Sequence, residues 1–361
     1  MTYYKFIALF LIWFISFSSA QVFSADQTQL AQTAYEQHII PAYNRLASET
    51  TKLKTQLTQF CVQPTQKALD KVHESYKSAL LSWAGVEHIQ FGPIVEDYKY
   101  ERFAFWPDVN GRGLRQVQRV LAKKDQTVLS LDTLQKKSVA LQGFTALEFL
   151  LHGTNYTNLI ADDQTGQFRC KFAKTIGENL AVMAAEVQRG WQKNSYYSDA
   201  FLKPKINKIY ARPEEVTQEL FQSYVGGFDK IIDMKILRPI RKSEKQRANF
   251  KRAAYWRSGL SMAIIRMNLL ALTDFFEIGG LSKFVSSQKP SVSQHVMRSL
   301  QNEAKELQRI DTSIQNIVYN LEQRSALRDI TIRLKKARTQ SAQAIIEAAN
   351  LTIGFNAQDG D

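Results

Sequence analysis

Apolar residues in this chain recur at spacings of three, four and seven, and almost nowhere do they alternate with polar residues between hairpin turns. Helices are therefore the regular structure through which it can bury its apolar surface. The pattern is clearest toward the C-terminus, where Val296, Leu300, Leu307, Ile310, Ile314, Ile317 and Leu321 predict one helix, with a partner over 328–351. These stripes are too short and irregular for a free coiled coil, so they predict packing inside a bundle. The expected class is all-α. At 361 residues the chain exceeds what one core usually organises, so two packed up-and-down helical bundles are expected, 21–200 and 201–361, meeting near 195–212.

Local signals divide the chain further. Pro64 suits the first turn of a helix running to about Gly85, and Pro213 with Glu214 and Glu215 marks a helix start near Arg212, where acidic residues favour the dipole. Asp132 followed by Gln135 resembles a capping box that opens a long helix, whose last three turns would be GFTALEFLLHG, 143–153, with Gly153 ending it. Loops are expected over 91–112, 154–167, 192–204 and 279–290, all rich in turn formers.

The first twenty residues read as an export signal, with Lys5, an apolar run from Phe6 to Phe17, and Ser18-Ser19-Ala20 as a small-residue cleavage site. Cleavage after Ala20 would leave Gln21 first, with no cysteine for lipid attachment, and the apolar run is short for a membrane span. No other stretch resembles a transmembrane helix. The expected location is the periplasm or cell envelope. There, the only two cysteines, Cys61 and Cys170, are most simply a disulfide, the competing reading being two buried thiols. The net charge of +13 would raise nucleic acid as a partner in a cytosolic protein, but outside the cytoplasm anionic lipid or envelope surfaces are the expected counter-ions. The basic residues Arg238, Arg241, Lys242, Lys245, Arg247, Lys251 and Arg252 are dispersed and lack an aromatic stacking ladder, which predicts a solvated helix face.

On a helix, Thr145, Glu148 and His152 project together, placing a hydroxyl, a carboxyl and an imidazole along an otherwise apolar element. A buried carboxyl needs a metal, a basic partner or a raised pKa. The plain alternative for Glu148 is a structural bond to an Arg or Trp of a neighbouring helix; for His152, the free carbonyls of its helix end; for Thr145, a bond back to its own helix. Three more segments gather polar and aromatic groups: WAGVEHIQFGP, 83–93, with Glu87 and His88; RFAFWPDVNGRG, 102–113, with Arg102, Trp106, Asp108 and Arg112; and YWRSG, 255–259, expected on a helix running to Asn268. Conventional catalytic signatures are missing. His73-Glu74 begins like a zinc-peptidase helix, but Lys77 stands where the second histidine should be, and there is no nucleophile elbow, phosphate loop or cysteine metal pattern. The five histidines, at 38, 73, 88, 152 and 295, are scattered.

Taken together, WAGVEHIQFGP, RFAFWPD, GFTALEFLLHG, YWRSG running to Asn268 and the closing GFNAQDGD at 354–361 resemble the imelysin family, the M75 peptidases and iron-regulated envelope proteins. The family motif is Gly-x-His-x-x-Glu; Gly143 and Glu148 match it, and Thr145 stands at the histidine position. The resemblance implies an exported protein of two helical bundles with the motif helix near their junction, a link to iron or other metal uptake, and other envelope or iron-uptake proteins as partners. It implies a pocket drawn from Glu87, Arg102, Trp106, Asp108, Gly143, Thr145, Glu148, Arg257 and Ser258, with Glu87 and Glu148 as oxygen ligands if a divalent metal or iron binds. A peptidase would need a metal-bound water, and threonine is a poor substitute for the missing ligand. The expectation is therefore a noncatalytic binding protein taking a small ligand or metal, the alternative an M75-type metallopeptidase using Glu148 at a metal-bound water.

Overall fold

The computed structural model describes residues 26–161, 163–205 and 209–351; the expected signal over 1–20 and the closing segment at 354–361 lie outside them. The described residues are helical and contain no strand. The principal helices are α1 (Ile40–Val62), α2 (Gln66–Val86), α3 (Arg112–Lys123), α4 (Phe144–His152), α5 (Gln164–Gly190), α6 (Pro213–Asp229), α7 (Ser261–Glu277), α8 (Pro290–Arg309) and α9 (Leu321–Ala349). None is long and apolar enough to cross a membrane.

Helix α1 lies along both α2 and α5, while α6, α7, α8 and α9 pack against one another. Helix α7 joins the two groups because it also packs on α2. Its buried residues include Ile264, Ile265, Leu269, Leu272, Phe275 and Phe276, and the hydrophobic core runs continuously through both groups. The cysteines form a disulfide, with Cα atoms 5.7 Å apart, tying the end of α1 to the first turns of α5.

The expected helix start at Arg212 and end at Gly153 match the structure. Pro64 instead lies just outside α2, and Thr65 caps it by accepting from the Ala68 amide at 3.2 Å. The single C-terminal helix expected from Val296 to Leu321 is broken into α8, a short helix Ile314–Tyr319 and the start of α9. Ser313 and Asn320 cause the restarts, each accepting a backbone amide three residues on. The expected loops over 154–167, 192–204 and 279–290 contain the short helices Tyr156–Ile160, Tyr196–Leu202 and Leu281–Ser286, and 91–112 holds turns over Gly92–Tyr98 and Lys99–Phe103.

The largest correction concerns the motif segment. The long helix expected from Asp132 does not form; one turn at Leu131–Leu134 and another at Val139–Leu141 precede α4, which is nine residues long. Gln142 enforces the break: its Nε2 donates to the Lys137 carbonyl at 2.6 Å and its Oε1 accepts from Arg102 Nε at 2.8 Å. Gly143 then takes extended backbone against residues 102–103, where a Cβ would collide with the carbonyl oxygens of Arg102 and Phe103.

Candidate functional site

Because α4 starts afresh at Phe144, its register is set by long-range contacts at both ends. Tyr76 of α2 donates to the Phe144 carbonyl at 3.2 Å. At the other end the buried guanidinium of Arg169, on α5, donates to the carbonyls of Leu150 (2.9 Å), Phe149 (2.8 Å) and Thr154 (3.1 Å). A cation at the carbonyl end satisfies orphan acceptors and opposes the helix dipole. Glu148 is thereby held in the middle of a fixed, buried helix.

Its partner is Ser258, which donates from its backbone amide at 3.0 Å and its hydroxyl at 2.9 Å, both to Oε1. The YWRSG segment, expected on a helix running to Asn268, is not helical; it forms a turn ahead of α7, with Tyr255 at φ +55° and Gly259 at φ +73°. That turn is what aims the Ser258 amide at α4. Burial pushes the Glu148 carboxyl up, an effect the Ser258 donors and Arg257 only partly offset.

Glu87 occupies a different environment. At the C-terminal end of α2 its carboxylate is ion-paired with the buried Lys235, and Asn268 Nδ2 donates to the same oxygen at 3.1 Å. Asn268 Oδ1 accepts from Lys235 Nζ at 2.7 Å, and Lys230 Nζ reaches the Glu87 carbonyl at 3.3 Å. Both lysines come from a π-helical turn, Lys230–Leu237, that continues α6. Burial alone would raise the Glu87 carboxyl, but Lys235, Lys230 and Asn268 outweigh it and hold the group below its usual range. The buried Tyr255 is raised by burial and by the fields of both carboxyls, and its hydroxyl has no hydrogen-bond partner among the described residues.

A cleft of about 500 Å³ opens beside Glu148. One wall is α4 with Thr145 and Phe149, and another is the loop carrying Trp106 and Asp108; the turn with Tyr255, Trp256 and Arg257 closes the far side. Asp108 Oδ2 accepts from the Leu114 amide at 3.0 Å, at the start of α3. Arg257 stacks on Trp256, 4.5 Å from the ring centre, and on Phe149, 5.5 Å away.

Of the residues singled out from sequence, Trp106, Asp108, Thr145, Glu148 and Arg257 line this cleft, with Ser258 bonded to Glu148 behind them. Glu87, Arg102 and Gly143 are not in the lining. Arg102 instead fixes the segment before α4, donating to Gln142 and, at 3.4 Å, to Asn179 Oδ1, while Gly143 provides the close approach. His152, one turn beyond Glu148 on the same helix, is not in the lining and packs on His73, ring centres 4.3 Å apart. The basic set expected as one solvated face is divided: Arg238, Arg241, Lys251 and Arg252 reach the cleft, and Lys242, Lys245 and Arg247 do not line it. Sequence reading also missed Lys235; the only signal was a lysine in the apolar run IIDMKIL.

The donor set does not fit the metal site that the motif implies. Glu87, expected as a ligand beside Glu148, is neutralised by a lysine, Glu148 spends one oxygen on two protein donors, and position 145 offers a hydroxyl. Among the described residues no three His, Cys, Asp or Glu side chains converge as ligands.

A family model described as imelysin, of the M75 peptidase type, matches residues 39–344. Two solved structures share the fold. One is an imelysin-like protein from Psychrobacter arcticum 273-4, with a TM-score of 0.74 at 17% identity over 92% of this chain and 98% of that one. The other is described as an iron-regulated protein A precursor from Parabacteroides distasonis ATCC 8503, with a TM-score of 0.74 at 13% identity over 89% of this chain and 95% of that one. At such identities the likeness is one of fold. No curated protein matches the chain.

Proposed function

The chain belongs to the imelysin family, and from that premise we propose that it is an exported, noncatalytic binding protein of the periplasm or cell envelope, taking its ligand in the cleft beside Glu148. The observation that carries the reading is the pinning of Glu148 by Ser258, two groups 110 residues apart whose contact braces opposite walls of a cavity large enough for a small molecule. Trp106, Asp108, Thr145 and Arg257 would meet the ligand, and Glu148 would set the floor. The expected division into 21–200 and 201–361 gives the cleft one wall from each bundle. Export is supported by the Lys5–Ala20 segment and by the disulfide, which suits an oxidising compartment.

A metallopeptidase would need a metal-bound water beside a base, and Glu87, Thr145 and Glu148 do not supply that ligand set. Any iron-related role, suggested by the name of one structural relative, would therefore not rest on these residues as direct ligands. A fragment screen blind to charge tests the binding reading, read by tryptophan fluorescence and repeated on Thr145→Phe, which would fill the cleft. The expected result is a set of binders lost in that variant. No binder sensitive to Thr145→Phe, or stoichiometric metal removed by Glu148→Ala together with peptide hydrolysis, would overturn it.

A further inference from the structure

Two non-glycine residues lining the cleft hold strained backbone. Tyr255 is left-handed, and Arg241, at φ +72° and ψ 155°, occupies a region that is essentially reserved for glycine. A glycine would sit there without strain, yet the chain carries an arginine whose buried Nε has no hydrogen-bond partner among the described residues. The strained backbone and the unpartnered Nε both fall in the cleft lining, among other charges.

Five cationic side chains line the cleft, Arg238, Arg241, Lys251, Arg252 and Arg257, against two carboxyls, Asp108 and Glu148. Both acids are already engaged by protein donors: Asp108 by the Leu114 amide, and Glu148 by the amide and hydroxyl of Ser258. Burial chiefly, and then the nearby Arg252 and Arg241, push the Arg238 guanidinium down. Trp106 and Trp256 back two of the guanidinium groups, Arg238 at 6.0 Å from the first ring centre and Arg257 at 4.5 Å from the second. Such stacking leaves the edge of the guanidinium free for a planar acceptor.

We propose that the ligand of this cleft is an oxyanion, a carboxylate or a phosphate, borne on an apolar or aromatic body, with Arg241, Arg238 and Arg257 binding the anion and the Trp106 and Trp256 rings facing the body. The inference rests on the cleft being the binding site. A bare metal cation is disfavoured by the same charges.

Titrating phenyl phosphate, benzoate and neutral benzamide into the full protein, by calorimetry and tryptophan fluorescence, tests this. At least one anion is expected to bind more tightly than benzamide, and which one identifies the oxyanion. Arg238→Gln should weaken it about tenfold, the worth of one charge-assisted hydrogen bond, with Lys52→Gln on α1 as an unaffected control. Arg241→Gly separates a binding role from a structural one: relief of backbone strain should raise Tm by about 2 °C while anion affinity falls about tenfold. Benzamide binding as well as the anions, or arginine variants binding as tightly as wild type, would overturn the oxyanion assignment while leaving the cleft as a site. Failure of all three probes together with a fragment screen that finds no cleft binder would remove the site itself.

Discussion

Glu148 receives both Ser258 donors on a single oxygen, yet burial still raises its carboxyl above the usual range. A group whose folded pKa is raised contributes stability at low pH and loses it as pH rises from the unfolded to the folded value. Glu148→Gln keeps the acceptor that Ser258 needs. The variant is therefore expected to match wild type in acid and to become the more stable of the two toward neutral pH, as measured by urea unfolding across the carboxylate range. A variant that is instead weakest at neutral pH would show that the folded protein needs the charge. The histidine pair gives the opposite slope. His38 and His88 face each other Nε2 to Nε2 at 2.8 Å beneath Phe275, and burial pushes His38 down to about 4 and His88 well below its usual value. Stability is present above the ordinary 6.5 and lost as pH falls toward about 4. His38 alone accounts for about 3 kcal/mol of that loss, and His38→Gln should flatten the unfolding free energy over the same interval.

At the scale of the element, α4 illustrates what sequence could and could not specify. Its apolar character, its end at Gly153 and the shared face of Thr145 and Glu148 are legible, because they depend on neighbours within a turn or two. Its start is not. The Asp132–Gln135 pattern is a sound local cap signal, but Arg102 and Asn179 bond to Gln142 from 40 and 37 residues away and stop the chain from running straight into α4. The same holds at the site: Trp106, Asp108 and Arg257 were identifiable as polar groups among aromatics. Arg238 and Arg241 were not, since only the fold of 241–252 turns a run resembling a solvated face back toward the cleft. Arg169 was equally hidden, an arginine beside a cysteine with nothing local to mark three carbonyl partners. Its removal leaves those carbonyls buried or half-buried without their donor, so Arg169→Met is expected to cost about 3 kcal/mol in chemical denaturation. Hydrogen exchange should quicken first in the last turn of α4.

Across the whole molecule, the Cys61–Cys170 bond closes a loop with a sequence separation of 109 that contains α2, α3 and α4. In the chain-entropy view a loop of that length contributes about 4–5 kcal/mol by restricting the unfolded chain. The Cys61→Ala/Cys170→Ala double variant should show an unfolding midpoint lowered accordingly, with fluorescence of the folded state unchanged. A loss confined to α4, with the rest of the protein at wild-type stability, would mean the bond acts locally. The all-α class was fully legible at this scale, since helical periodicity is repeated along nearly the entire chain. The packing of α7 on both α2 and α8 was not, because several helices share its apolar content.

The bond between Ser258 and Glu148 also has a consequence in time. A chain made from its N-terminus presents Glu148 long before Ser258 exists, and for the next 110 residues the acid has neither of the donors it is built to receive. The first wall of the cleft must wait, with its carboxyl hydrated or borrowed by another partner, until the turn after Tyr255 arrives. The cleft is therefore completed only when both segments are present, and a chain truncated between Glu148 and Ser258 carries the motif without either of its donors.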